Sequence, residues 1–141
     1  RQGHQGEIRV VHVARDSTAH YLAEPLLQLA GVKVELVLAQ RFGELAGHPL
    51  VGEVQTCGLM GALQLVKNAR DGTPFPAEIE FGMVCRGHCF ANGLIMRAVG
   101  DRMIVAPPLV ITRAQIDEMM TLIRRCLDLS LADAQRQHWL A

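Results

Sequence analysis

Five groups of residues in this 141-residue chain have types and spacings that could do chemistry. Cys85-Arg86-Gly87-His88-Cys89 places two thiols and an imidazole within one helical turn, a pattern that invites a metal. A closed structural zinc site needs four ligands, and Cys57 and Cys126 lie far off with no paired ligand, so two buried thiols on an amphipathic helix are the simpler reading. His48 before Pro49 reads as a helix-ending histidine that complements the C-terminal dipole. Gly58 and Gly61 lack the Lys-Ser/Thr and helix start of a phosphate loop, so they read as close sheet packing. The chain holds two lysines, Lys33 and Lys67, so Schiff-base chemistry has two candidates. Arg97 offers a planar guanidinium fork that can take a carboxylate in two parallel hydrogen bonds. The plainer alternative pairs it with Asp101 or Glu53.

The elements that must position these groups follow from patterning. Ile8–Val13 reads as a strand, Asp16-Ser17 as the cap of a helix ended by Gly31, and Val32–Leu38 alternates like a second strand. Arg41–Ala46 reads as the last turns of a helix closed by Gly47 and Pro49. Val51–Val66 reads as two adjacent strands, and Asn68–Pro76 as a loop. Ala77–Ala91 has helical spacing and stops at Asn92-Gly93. Leu94–Arg97 and Met103–Val105 read as a hairpin around Val99-Gly100-Asp101. Pro107-Pro108 ends the ladder. Thr112 and Gln115 have capping-box spacing, followed by an apolar stripe of Ile116, Met119, Met120, Ile123, Leu127 and Leu131. Met119-Met120 reads as core filling. The expected fold class is α+β: a small, largely antiparallel sheet covered by helices.

Composition narrows the function classes. Half the residues are hydrophobic and 20% are charged, which excludes a disordered tail. Fourteen cationic and fourteen anionic residues balance, and aromatics are 4%. Neither a nucleic-acid surface nor an anionic-membrane binder is expected from that balance. No window reaches the ~18 apolar residues of a membrane helix. The start, Arg1-Gln2-Gly3-His4, carries no apolar signal core, and the four cysteines read as buried thiols rather than a disulfide frame, so a cytoplasmic location is expected.

Four blocks, in order, carry a resemblance. They are His48-Pro49-Leu50-Val51-Gly52-Glu53-Val54 with Gly58-Leu59-Met60-Gly61, then Gly82-Met83-Val84-Cys85 with Asn92-Gly93-Leu94, then Met96-Arg97-Ala98-Val99-Gly100-Asp101, and finally Ala106-Pro107-Pro108-Leu109-Val110-Ile111-Thr112 with Ile116-Asp117-Glu118. From residue 41 to 141 the chain resembles the C-terminal small domain of class III pyridoxal-phosphate aminotransferases, nearest the ω-aminotransferases that use pyruvate. Residues 1–40 match poorly and could be strand–helix–strand or rearranged sequence. Arg15–Leu22 is similar to the family's helix before the small domain, but some 19 residues then intervene before Arg41.

The resemblance implies several things. The fold would be that of the C-terminal domain of fold-type I pyridoxal enzymes. Arg97, in the Met-Arg-Ala-x-Gly-Asp motif, would bind the substrate's carboxylate and swing aside for a simple amine. Pyridoxal phosphate would be the cofactor, and the family acts as a homodimer. Substrates would be an amine or ω-amino acid and pyruvate or another α-keto acid. The family's Schiff-base lysine, phosphate loop, pyridinium aspartate and stacking aromatic lie in its large domain. None has a counterpart in this sequence, so the chain reads as an incomplete aminotransferase with no catalytic residue of its own. A non-catalytic remnant or interaction module, and an independent small-molecule binding domain, are the alternatives.

Overall fold

A computed structural model describes residues 34–140. The expected strand at Ile8–Val13, the helix capped at Asp16-Ser17 and the account of residues 1–33 lie outside the described residues. The first described element corrects the sequence reading. Residues 34–38 belong to helix α1, Val34–Gly43, not to a strand. Val34, Leu38 and Phe42 recur every four residues and are all buried, while Leu36 points to solvent at 58% exposure. A helical stripe therefore wins over the period-two alternation. A 3₁₀ turn, Glu44–Gly47, carries the chain to His48.

Strands β1 (Val51–Cys57) and β2 (Met60–Leu65) form a tight antiparallel pair, turning through Gly58 at φ 59. A register shift between Val51 and Glu53 marks a bulge at Gly52. The sheet is completed by β3 (Arg97–Val99) and β4 (Arg102–Val105), in the order β1-β2-β4-β3, every pair antiparallel. The β3 strand is shorter than expected. Leu94 donates its N–H to the Cys89 carbonyl behind Gly93 (φ 75), so 94–96 still belong to the helix exit.

Helix α2 spans Phe81–Ala91 and α3 spans Arg113–Arg136. The predicted start of α2 at Ala77 is interrupted. Ala77–Ile79 is a 3₁₀ turn and Glu80 is left-handed at φ 47, so the α-helix begins four residues later. The capping box of α3 is present as expected, with Thr112 and Gln115 exchanging side-chain-to-backbone bonds. Its stripe of Ile116, Met119, Met120, Ile123 and Leu127 is buried.

One face of the sheet holds the core. Leu63, Leu65, Met103 and Val105 are all but fully buried there. Helix α1 packs close to this face at Gly61, where an added Cβ would sit 2.7 Å from the Phe42 ring. Phe75 stacks on Phe81 with ring centroids 3.9 Å apart, and Trp139 meets Phe81 edge-on. Among the described residues this is the expected α+β architecture, with three α-helices and a four-stranded antiparallel sheet.

Candidate functional site

Arg97 opens β3, and its placement is set by the turn that follows it. Gly100 takes φ 54, which lets the β3–β4 hairpin close in two residues. Asp101 then fastens that hairpin to two other elements. Its carboxylate Oδ1 accepts the Gly82 N–H of helix α2 at 2.8 Å, and its carbonyl accepts the Leu65 N–H of β2 at 2.8 Å. Glu80, at the cap position of α2, makes no side-chain cap bond. Asp101 thus supplies from a distant turn the acceptor and the negative charge that a helix N-terminus favours.

Antiparallel register fixes which side chains share a face. Gln55 lies opposite Ala62, Ala62 opposite Ile104, and Ile104 opposite Arg97. These four form one row across the sheet, on the face away from the core. The adjacent row is Glu53, Gln64, Arg102 and Val99. A groove of about 450 Å³ runs over this outer face, with Met60, Ala62 and Ile104 in its wall and Cys57 and Arg102 at its edges.

The two carboxylates weighed as partners for Arg97 are engaged elsewhere. Glu53 pairs with Arg102 at 3.6 Å, Arg102 Nε also donates to Gln64 at 3.2 Å, and Asp101 holds Gly82. Arg97 is exposed and makes no side-chain hydrogen bond or ion pair among the described residues.

The other candidates resolve into structure. Cys85, Cys89 and Cys126 are buried between α2 and α3. The hydrogen bond to Cys85, with burial, pushes the Cys89 thiol well above the usual range, and burial raises Cys126. Cys89 and Cys126, held protonated in this way, are poor ligands and nucleophiles, while the hydrogen bond with Cys89 lowers the Cys85 pKa. Cys57 departs from expectation: it is exposed, at the end of β1 beside the groove. His88 Nε2 contacts Asp133 at 2.7 Å rather than joining the thiols, and that contact lowers the Asp133 pKa. His48 is buried and does more than end a turn. Its Nδ1 accepts the Leu50 N–H, and its Nε2 lies 3.2 Å from Asp128 on α3. Burial lowers its pKa, so it is a neutral tether and not the cationic dipole partner expected.

Pyridoxal phosphate needs a lysine, an acidic partner for its ring nitrogen and an anion cradle. Lys67, the lysine among the described residues, follows β2, where its backbone N–H bonds to Thr73, and it does not line the groove. Among the described residues these three features are not assembled, so this part of the protein does not fit the cofactor.

No family model matches the chain. Individual proteins do match. The chain is 50% identical over 109 residues to a putrescine–pyruvate aminotransferase of Pseudomonas aeruginosa, covering 77% of this chain and 24% of that protein. Among solved structures it superposes on an omega-transferase from Vibrio fluvialis with a TM-score of 0.71 and 30% identity, covering 74% of this chain and 25% of the other. A pyridoxal-phosphate-bound aminotransferase mutant from the same organism gives a TM-score of 0.69 at 26% identity, covering 85% and 25%. The chain spans about a quarter of the length of these relatives. Sequence and fold agree over that quarter, so the chain matches one segment of the aminotransferases.

Proposed function

We propose that this chain forms the C-terminal small-domain portion, about residues 41–141, of an aminotransferase that moves an amino group between an amine or ω-amino acid and pyruvate or another α-keto acid. The observation that carries this reading is the 50% identity over 109 residues to an enzyme named for putrescine and pyruvate. Pyridoxal phosphate, which the Vibrio fluvialis aminotransferase mutant binds, is then held by residues outside the described ones, and it supplies the electron sink for amino transfer. Arg97 takes the carboxylate of the keto acid or amino acid. In support of that role, it is exposed, it stands on a hairpin pinned by Asp101, and the nearby carboxylates are already engaged. The working form is a cytoplasmic homodimer.

The test replaces the matched segment of the Pseudomonas aeruginosa enzyme with residues 34–141 of this chain. The graft should transfer amino groups from putrescine to pyruvate. In the graft, Arg97→Ala should raise KM for pyruvate at least tenfold while the bound cofactor's absorbance is retained. A folded, cofactor-loaded graft that transfers no amino group overturns the reading.

A further inference from the structure

Helix α2 meets α3 through four small side chains. Cys85 and Cys89 lie one turn apart on α2, Cys126 and Ser130 lie one turn apart on α3, and all four are buried. The Cys89 thiol is in hydrogen-bond contact with both other thiols, and Cys85 is also within reach of the Ser130 hydroxyl. Ser130 Oγ donates to the Cys126 carbonyl at 2.7 Å. Its one proton can turn to Cys85 instead when that sulfur is charged. The bonds from Cys89 and Ser130 hold the Cys85 thiol below its ordinary value, while the bond to Cys85, with burial, pushes Cys89 up. One sulfur is thus prepared as a nucleophile, with a protonated neighbour beside it. The helix that carries both is the weaker of the two. It has 11 residues against 24, starts behind the left-handed Glu80 with no side-chain cap, and contains Gly82 and Gly87. Such a helix opens locally at lower cost than the capped α3, and opening it admits a small oxidant to the thiols.

We propose that Cys85, Cys89 and Cys126 form a peroxide-sensitive latch, in which hydrogen peroxide at the α2–α3 seam is reduced to water and Cys89 ends joined to Cys126 by an interhelix disulfide. The inference goes beyond the proposed aminotransferase function and does not depend on it. In the first step the Cys85 thiolate attacks one peroxide oxygen. The O–O bond breaks, Cys85 becomes a sulfenic acid, and the departing hydroxide takes up a proton to leave as water. The Cys85 charge is now gone, and with it the main cause of the raised Cys89 pKa. Cys89 then attacks the Cys85 sulfur, and the sulfenic oxygen leaves with the Cys89 proton as a second water. That disulfide is strained. Residues four apart on a helix hold their Cβ atoms about 5–6 Å apart, whereas a disulfide needs about 3.5–4.5 Å. Cys126, on the facing helix, attacks the Cys89 sulfur and expels Cys85, whose lowered pKa makes it the best leaving group of the three. The Cys126 proton balances the charge on the released Cys85. Two thiols have lost two hydrogens, and one peroxide has become two waters. The new bond staples α2 to α3, and because Asp101 holds the first turn of α2, oxidation stiffens the support of the Arg97 hairpin.

The experiment uses the 141-residue chain with Cys57→Ser, which removes the exposed thiol. The reduced protein is treated with hydrogen peroxide, remaining thiols are blocked with a maleimide, and trypsin is added. Cleavage at Arg86 and Arg125 puts the three cysteines on separate peptides. The folded chain should give the linked Cys89 and Cys126 peptides as its main product, with Cys85 free. The same chain in urea should favour Cys85–Cys89 instead, because the shorter loop closes at lower entropic cost. The oxidised folded chain should melt at least about 5 °C higher than the reduced one, and dithiothreitol should reverse the shift. Cys85→Ser should slow the cross-link at least tenfold. Cys126→Ser should stop at Cys85–Cys89 with no rise in melting temperature. A folded chain that forms no internal disulfide, or forms mainly Cys85–Cys89, overturns the proposal. So does a Cys85→Ser chain that cross-links at the parent rate. The pairing is read on the Cys57→Ser chain alone, so it decides the matter even where another variant does not fold.

Discussion

A Cβ added to Gly82 would lie 2.0 Å from the carbonyl oxygen of Gly100. The first turn of α2 and the β3–β4 hairpin thus touch backbone to backbone, and the Asp101–Gly82 hydrogen bond is what that closeness permits. The obstructing atom is main chain, so no side chain can swing aside to make room. Gly82→Ala should cost about 1–3 kcal/mol or more by overpacking. Asp101→Ala removes the acceptor at the helix N-terminus and should cost about 1 kcal/mol, in the range of a lost cap. Asp101→Asn keeps an acceptor oxygen and should recover most of that. Thermal unfolding of the three variants checks the order, with about 4 °C expected per kcal/mol. Equal melting temperatures for Gly82→Ala and the parent would remove the hairpin–helix contact from the account of how Arg97 is held.

A second close approach gives a reciprocal test. Gly61 on β2 faces the Phe42 ring, which an added Cβ would meet at 2.7 Å. Gly61→Ala should destabilise by about 1–3 kcal/mol. Phe42→Leu should also destabilise, because it vacates part of a fully buried site. The double variant should be less destabilised than the sum of the two, since the smaller side chain makes room for the methyl. Denaturant midpoints for the four proteins of this cycle give the coupling, expected at about 0.5 kcal/mol or more in the favourable direction. Strict additivity would mean α1 does not sit on Gly61.

Much of this scaffold was legible in local pattern, because local chemistry decides it. Thr112 and Gln115 specify a helix start between themselves, and the Ile116–Leu127 stripe specifies the buried side of α3. The β1–β2 pair is readable from its aliphatic content and its glycines. Val34–Leu38 misled because β-branched alternation and a four-residue stripe coexist there. Only burial of Phe42 against the sheet selects the helix. The carboxylate at the start of α2 was also hidden, since Asp101 lies 19 residues from Gly82 and no local capping pattern announces it. For Arg97 the sequence supplied the residue and its motif. Register supplied the row it shares with Ile104, and the engagement of Glu53 and Asp101 elsewhere left it unpaired among the described residues.

The cofactor assignment has its own test on the free chain. Lys67 does not line the groove, and the described residues assemble no anion cradle around it. Equimolar pyridoxal phosphate followed by borohydride should leave the mass of the 141-residue chain unchanged. A single reduced adduct mapped to Lys67 would show that this part of the protein holds the cofactor after all. In the graft, by contrast, the adduct should appear once, on a lysine of the Pseudomonas aeruginosa portion.

The pH dependence of stability should be governed on the acid side by His48. Its side chain is 3% exposed, and it accepts the Leu50 N–H at Nδ1, so a proton there must displace a hydrogen bond inside the fold. Burial sets its pKa below the ordinary 6.5, outweighing the opposing pull of Asp128, and the nearby Arg124 charge adds to the lowering. The sign follows from linkage. Below about pH 6.5 the unfolded chain binds a proton on this residue that the folded chain resists. Stability is therefore fully present above that pH and falls as the pH drops toward the folded-state value. Asp133 adds a second acid-side loss at lower pH, because its contact with His88 depresses its pKa below the ordinary 3.8. His48→Gln should lower stability at pH 7.5 by about 1–3 kcal/mol, because Leu50 N–H loses a well-placed acceptor. It should also flatten the change in urea midpoint between pH 7.5 and 5.5. A variant that keeps the parent's slope over that interval would assign the acid sensitivity to other groups.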